Sequence, residues 1–137
     1  MPVLTRWFIK ASFLYLVLAF LLGLWLPAAS LWGLSSAGVS PVFFHFFLVG
    51  WVTQIIFGVA YWMLPKYTRE NPRRNETLAW AVFWMLNLGL VLRGILEPII
   101  SSGSSAIIGW LLVLSAFLQW LGGMGFVFNT WGRVKER

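Results

Sequence analysis

The 137-residue chain contains no cysteine, a single histidine and four acidic residues. Without cysteine there can be no disulfide, no thiolate haem ligation, no iron–sulfur cluster and no cysteine nucleophile. One histidine and four carboxylates leave no Ser/His/Asp set, no paired-carboxylate site and no second imidazole for a metal, and no phosphate-binding loop is present. Charge is scarce altogether: 10% of residues are charged against 60% hydrophobic, and the mean hydropathy is +0.82. A soluble domain of this size needs more charge, so the composition is that of an integral membrane protein.

What is present is apolar and organised. Four stretches, at about 8–26, 41–64, 78–99 and 106–131, each approach the ~20 residues that span ~30 Å of hydrocarbon. The expected fold is an all-α membrane protein, one domain over residues 1–137, forming an antiparallel four-transmembrane-helix bundle with short connections. The first run is long for a signal peptide, and removing it would spoil the alternation of charge, so it counts as a helix. Ser40-Pro41 reads as an N-cap with proline at the first helical position, and Pro65 closes the same helix. Asn75 or Thr77 can cap the third span, and "EPIISSGSS" ends the third and starts the fourth.

The net charge of +6 could suggest nucleic acid, but its placement argues for a membrane. Nine of the ten Lys/Arg residues fall in three polar segments: Arg6 and Lys10; Lys66, Arg69, Arg73 and Arg74; Arg133, Lys135 and Arg137. Both termini and the 66–77 loop are therefore expected in the cytoplasm, with the uncharged 27–40 and 100–105 connections outside. Of ten tryptophans, Trp7, Trp25, Trp32, Trp80, Trp110 and Trp131 fit an interfacial belt. Trp51, Trp62, Trp84 and Trp120 read as packing or as walls of a pocket.

The exception to the charge pattern is Arg93, inside an apolar run. Polar groups in hydrocarbon are costly and functional by default, and here they are His45, Gln54, Asn87, Arg93, Glu97 and Gln119. At ~1.5 Å per residue, His45 and Arg93 lie at similar depth towards the outer ends of their spans, with Glu97 at i+4 from Arg93. For His45 two readings stand. It is a buried imidazole hydrogen-bonded to a neighbouring helix, or an axial haem ligand with the apolar stripe Val49, Val52, Ile56, Val59 and Met63 running on from it. Arg93 either pairs with Glu97 or holds an acidic group such as a haem propionate. Gln54, nine positions from His45 at 100° each, is expected on the opposite side of the helix. Like Asn87 and Gln119, it reads as an interhelical hydrogen bond. Gly50 and Gly58, and Gly122, Gly123 and Gly125, mark faces for close helix approach.

The run "HFFLVGWVTQIIFGVAYWMLPK" resembles the second transmembrane helix of haem–copper oxidase subunit I, chiefly the cbb3-type oxidases and the nitric oxide reductase large subunit. In that family an outer histidine precedes a small residue and then "G-x-x-Y-x-x-L-P", here His45, Gly50 and the run Gly58 to Pro65. The match covers about 22 residues, and the resemblance implies that His45 is an axial ligand of a low-spin haem. The family's remaining histidines are missing, so oxygen or nitric oxide reduction by this chain alone is not expected.

With haem at His45, the opposite face of the iron needs a ligand. Methionine is the usual alternative to histidine, but Met63 lies ~27 Å along the helix, and Met85 and Met124 fall in the cytoplasmic half. A two-fold homodimer supplies the second His45 instead. The expectation is one haem b per dimer, with His45 as the metal ligand and Arg93, Val49 and Val52 around the cofactor. This would be a non-enzymatic electron-transfer protein of the bacterial inner membrane, facing a quinol or a periplasmic carrier. A non-catalytic accessory subunit of a respiratory oxidase complex and a haem carrier or sensor are the rival expectations.

Overall fold

The computed structural model describes residues 1–70, 72–103 and 105–134. Asn71 and Ser104 of the two connections, and Lys135 and Arg137 of the basic C-terminal segment, lie outside the described residues. All regular structure among the described residues is helical. Helix α1 spans Val3–Leu31, α2 Val39–His45, α3 Gln54–Met63, α4 Glu76–Ser102 and α5 Ala106–Trp131. Between α2 and α3, Phe46–Thr53 form a π-helical segment, so Val39–Met63 is one continuous span. The result is four helices long and apolar enough to cross a membrane.

Two helices run past the prolines expected near their ends. Pro27 lies inside α1, which continues to Leu31. A proline removes one backbone donor, and the helix stops only where Gly33 adopts φ +68°. There Leu34 N–H donates to the Ala29 carbonyl (2.8 Å) and Gly33 N–H to the Ser30 carbonyl (3.3 Å), a Schellman closure. Pro98 likewise sits within α4. Beyond it, the Ser101 and Ser102 hydroxyls donate to the Pro98 and Ile99 carbonyls, each at 2.7 Å, meeting acceptors that the helix end leaves free.

Caps elsewhere differ in kind. The expected Ser40-Pro41 start is displaced: α2 begins at Val39, with Gly38 before it and no side-chain cap. A Cβ on Gly38 would lie 2.6 Å from Pro98 Cα and 2.7 Å from the Glu97 carbonyl oxygen, so this start is set by contact with α4. By contrast Asn75 does cap α4, accepting from Leu78 N–H at 2.9 Å. Helix α3 ends at Met63 because Leu64, preceding Pro65, is extended (ψ 144°).

Helix α1 packs along the whole second span, α4 pairs most extensively with α5, and α4 also meets α2 and the π segment. The apolar core comprises Leu4 and Phe8 of α1, Tyr61 of α3, and Ala79, Val82, Phe83 and Leu86 of α4. It is closed by Phe57 and Phe126, whose rings stack 3.6 Å apart. Gly50 and Gly58 bring the second span against Tyr15 and Phe8 of α1, while Gly122 and Gly125 admit Leu86 and Val82 of α4. Gly123 faces open space and takes no part. Trp62, Trp84 and Trp120 are all more than half exposed on the outside of the bundle rather than walls of an internal pocket. Trp51 is partly buried and meets Phe47 edge-on.

Candidate functional site: a histidine, arginine and glutamate between α2 and α4

His45 is the last residue of α2, immediately before the π-helical segment. Its Nδ1 lies 2.9 Å from the Pro41 carbonyl one turn back. A carbonyl can only accept, so Nδ1 carries the proton and the Nε2 lone pair is available. Across the helix interface Arg93 of α4 takes it up, with Nη1 3.1 Å from Nε2. The same Nη1 is 3.1 Å from Glu97 Oε1. The i+4 pairing of Arg93 and Glu97 is present as the spacing predicts, and the shared depth of His45 and Arg93 is realised as direct contact.

The cluster is sheltered but not sealed. The Arg93 and Glu97 side chains are 15% and 16% exposed, and the imidazole is partly buried. Arg93 Nε is buried and has no acceptor. An N–H left without a partner in a low-dielectric setting is costly, so the guanidinium retains unmet capacity for an anionic or carbonyl oxygen. Two close fits brace the site: a Cβ on Gly94 would lie 2.7 Å from Phe46 Cζ, and Phe46 meets Tyr15 of α1 edge-on at 5.1 Å. An apolar cleft of about 340 Å³ opens beside it, lined by Leu18, Leu22, Val42, Phe46, Gly94 and Pro98.

The π segment changes two expectations. Gln54 does not face away from the helix that His45 faces. It is fully buried, and its amide exchanges hydrogen bonds with Asn87 of α4 at 3.3 and 3.2 Å. Each π-type loop takes in one residue more than an α-type loop, so a rotation of 100° per residue does not hold between His45 and Gln54, and both meet α4. For the same reason the stripe beginning at Val49 is not one face. Val49 packs on the core, Val52 is partly buried, and Ile56 and Met63 are 55% and 71% exposed.

Of the expected site residues, His45 and Arg93 are brought together, and Val49 and Val52 continue along the span without touching Arg93 through any hydrogen bond. Asn87 is an interhelical link as expected and also donates to the Phe83 carbonyl at 2.8 Å. Gln119 is not: it donates to Ser115 Oγ of its own helix at 3.3 Å, and Ser115 makes the crossing, to the Gly89 carbonyl at 2.6 Å.

Sequence reasoning missed Arg133. Placed just after α5, it is 2% exposed and gives hydrogen bonds to the carbonyls of Pro65 (Nε, 3.0 Å), Tyr61 and Leu64 (Nη2, 3.2 and 2.7 Å). These acceptors form the C-terminal end of α3, where a cation is favoured. Burial pushes its pKa below the ordinary arginine value, with the nearby Arg73 charge adding to the effect. The available signal was indirect: Pro65 stops α3 and no local side chain caps it.

No known protein family, curated protein or solved structure matches the chain. Among the described residues no group of three or more His, Cys, Asp or Glu side chains could hold a metal ion.

Proposed function

We propose that the chain is a b-type haem-binding, electron-transfer protein of the bacterial cytoplasmic membrane, with one haem held between two copies by a pair of His45 side chains. The observation that carries the reading is the meeting of His45 and Arg93 at 3.1 Å, with a buried Arg93 N–H still lacking an acceptor. Nδ1 is tied to a backbone carbonyl, as is usual for imidazoles that ligate metals, so Nε2 is the nitrogen available to iron. Phe44 and Leu48 beside it are 54% and 52% exposed, offering apolar ground for a porphyrin. Haem, when bound, would supply one-electron chemistry.

One lone pair cannot serve Arg93 and an iron together. Holding iron through Nε2 would require Arg93 Nη1 to release it; the guanidinium, whose single charge Glu97 already offsets, would then meet a propionate by donating the N–H groups that Glu97 does not use. The dimer follows from one histidine per chain and from the symmetry of a two-fold axis. A quinol or a periplasmic electron carrier is the proposed partner, and the termini and basic loop are proposed to be cytoplasmic. The missing oxidase histidines keep the role to electron transfer rather than catalysis.

The test is the visible spectrum of protein produced with ample haem. Sharp reduced α and Soret bands at one haem per two chains are expected, lost in His45→Ala and weakened or shifted in Arg93→Ala. Absent bands, or one haem per chain, overturn the reading.

A second reading is favoured by the engagement of Nε2: the cluster is a clamp holding α2 to α4 in an accessory membrane subunit. Under it, His45→Ala lowers stability and no variant changes a spectrum. A haem carrier or sensor would show the bands but transfer or exchange the cofactor.

A further inference from the structure

The bundle has a second polar site at the end where α1 begins and α5 stops, independent of the haem reading. A cleft of about 550 Å³ lies there, lined among others by Tyr61, Leu64, Lys66, Pro72, Arg73 and Arg133. Arg133 is 2% exposed, and although Nε and Nη2 serve three carbonyls, Nη1 is buried with no acceptor. Lys66 is exposed and Arg73 partly buried, which places one sealed cation behind two accessible ones. The carboxylate paired within this group is Glu76, 3.2 Å from Arg73 Nη1 and 57% exposed. Among the described residues no carboxylate is bonded to Arg133, whose hydrogen bonds go to carbonyl dipoles. Trp62, 54% exposed, also lines the cleft and faces out of the bundle, so the cleft adjoins the lipid-facing surface.

We propose that this cleft binds a phosphate group, with Arg133 Nη1 as the buried donor and Lys66 and Arg73 as the outer cations. The physical reason is that a guanidinium hydrogen-bonds phosphate oxygens strongly, and a basic pocket between transmembrane helices suits an anionic head group. The same chemistry would accept inorganic phosphate, and the experiment separates the two sources.

The full chain in neutral detergent is given equal phosphatidylglycerol and phosphatidylcholine and examined by native mass spectrometry. One phosphatidylglycerol is expected to be retained in preference, and removing two cations in the Lys66→Gln/Arg73→Gln variant should reduce that preference by about tenfold or more. Arg133→Gln should reduce it as well. Because Arg133 also holds the end of α3, the double variant, which leaves those bonds intact, decides the matter if Arg133→Gln loses its helical circular dichroism. Inorganic phosphate that displaces the retained lipid supports the site with soluble phosphate as its ligand. Lipid that resists displacement supports it with the head group as its ligand. Equal retention of the two lipids together with no phosphorus-31 line broadening of added phosphate overturns the proposal, as does an undiminished preference in the double variant.

Discussion

Two arginines, one near each end of the bundle, are sheltered by opposite means. Arg93 is balanced by a carboxylate of its own helix, Glu97 at 3.1 Å, and reaches across to a neutral imidazole. Arg133 has no such carboxylate among the described residues; it meets three carbonyls 68 to 72 positions away in the chain. In one case a full charge answers a full charge at an i+4 spacing. In the other, the dipoles of a helix end answer it, and the helix end is itself completed in the process. The first arrangement compensates the charge of Arg93 within its own helix. The second makes Arg133 a fixture of the fold, with both N–H groups of its buried Nη1 left without an acceptor.

The sharpest way to break this contrast is Arg133→Ala. Losing bonds from a charged donor to three carbonyls at the end of α3 should cost about 3 kcal/mol, measured as unfolding by sodium dodecyl sulfate in mixed micelles. A loss below about 0.5 kcal/mol, the range of ordinary surface changes, would show that the α3 end needs no cap. Next comes Glu97→Gln, which leaves Arg93 without a carboxylate in a site where both side chains are mostly covered. An expected loss of about 2 kcal/mol reflects the cost of stranding one partner of a sheltered pair. Equal stability in Glu97→Gln and wild type would mean that Arg93 needs no carboxylate.

A neutral link between the two ends calibrates both. Asn87→Leu removes the partner of fully buried Gln54 and should cost about 1 kcal/mol, and a double-mutant cycle with Gln54→Leu should recover part of it. The smallest effect is expected for Arg73→Gln. Its pair with Glu76 is 37% and 57% exposed, and such pairs are worth about 0 to 1 kcal/mol. A stability-neutral Arg73→Gln that nonetheless weakens lipid preference would separate binding from folding at that end.

Much of this architecture was legible without coordinates, because a bilayer demands long apolar helices and the chain has four. The approach of His45 to Arg93 was also legible, since depth in a straight span follows from residue count. Orientation around the helix was not. Nothing in "FFLVGWVT" marks it as π-helical, yet that segment decides that Gln54 meets α4 and that Val49 turns into the core while Ile56 turns out. Helix ends were legible only to within a turn or two. Run length puts them at 26, before Pro27, and at 99, just past Pro98, while the actual stops are a left-handed glycine in one helix and a serine-rich terminus in the other.

The sequence by itself determined a membrane-spanning four-helix chain, the Arg93–Glu97 pair and the depth that lets His45 meet Arg93. These follow from hydrophobic run length, i+4 geometry and rise per residue, all local quantities. Only the tertiary structure decided that Arg93 takes the lone pair of His45, that Gln54 bonds Asn87, and that Arg133 completes α3. Those depend on helix rotation and on groups brought together from dozens of residues away, and backbone donors and acceptors without local partners find them wherever packing delivers one.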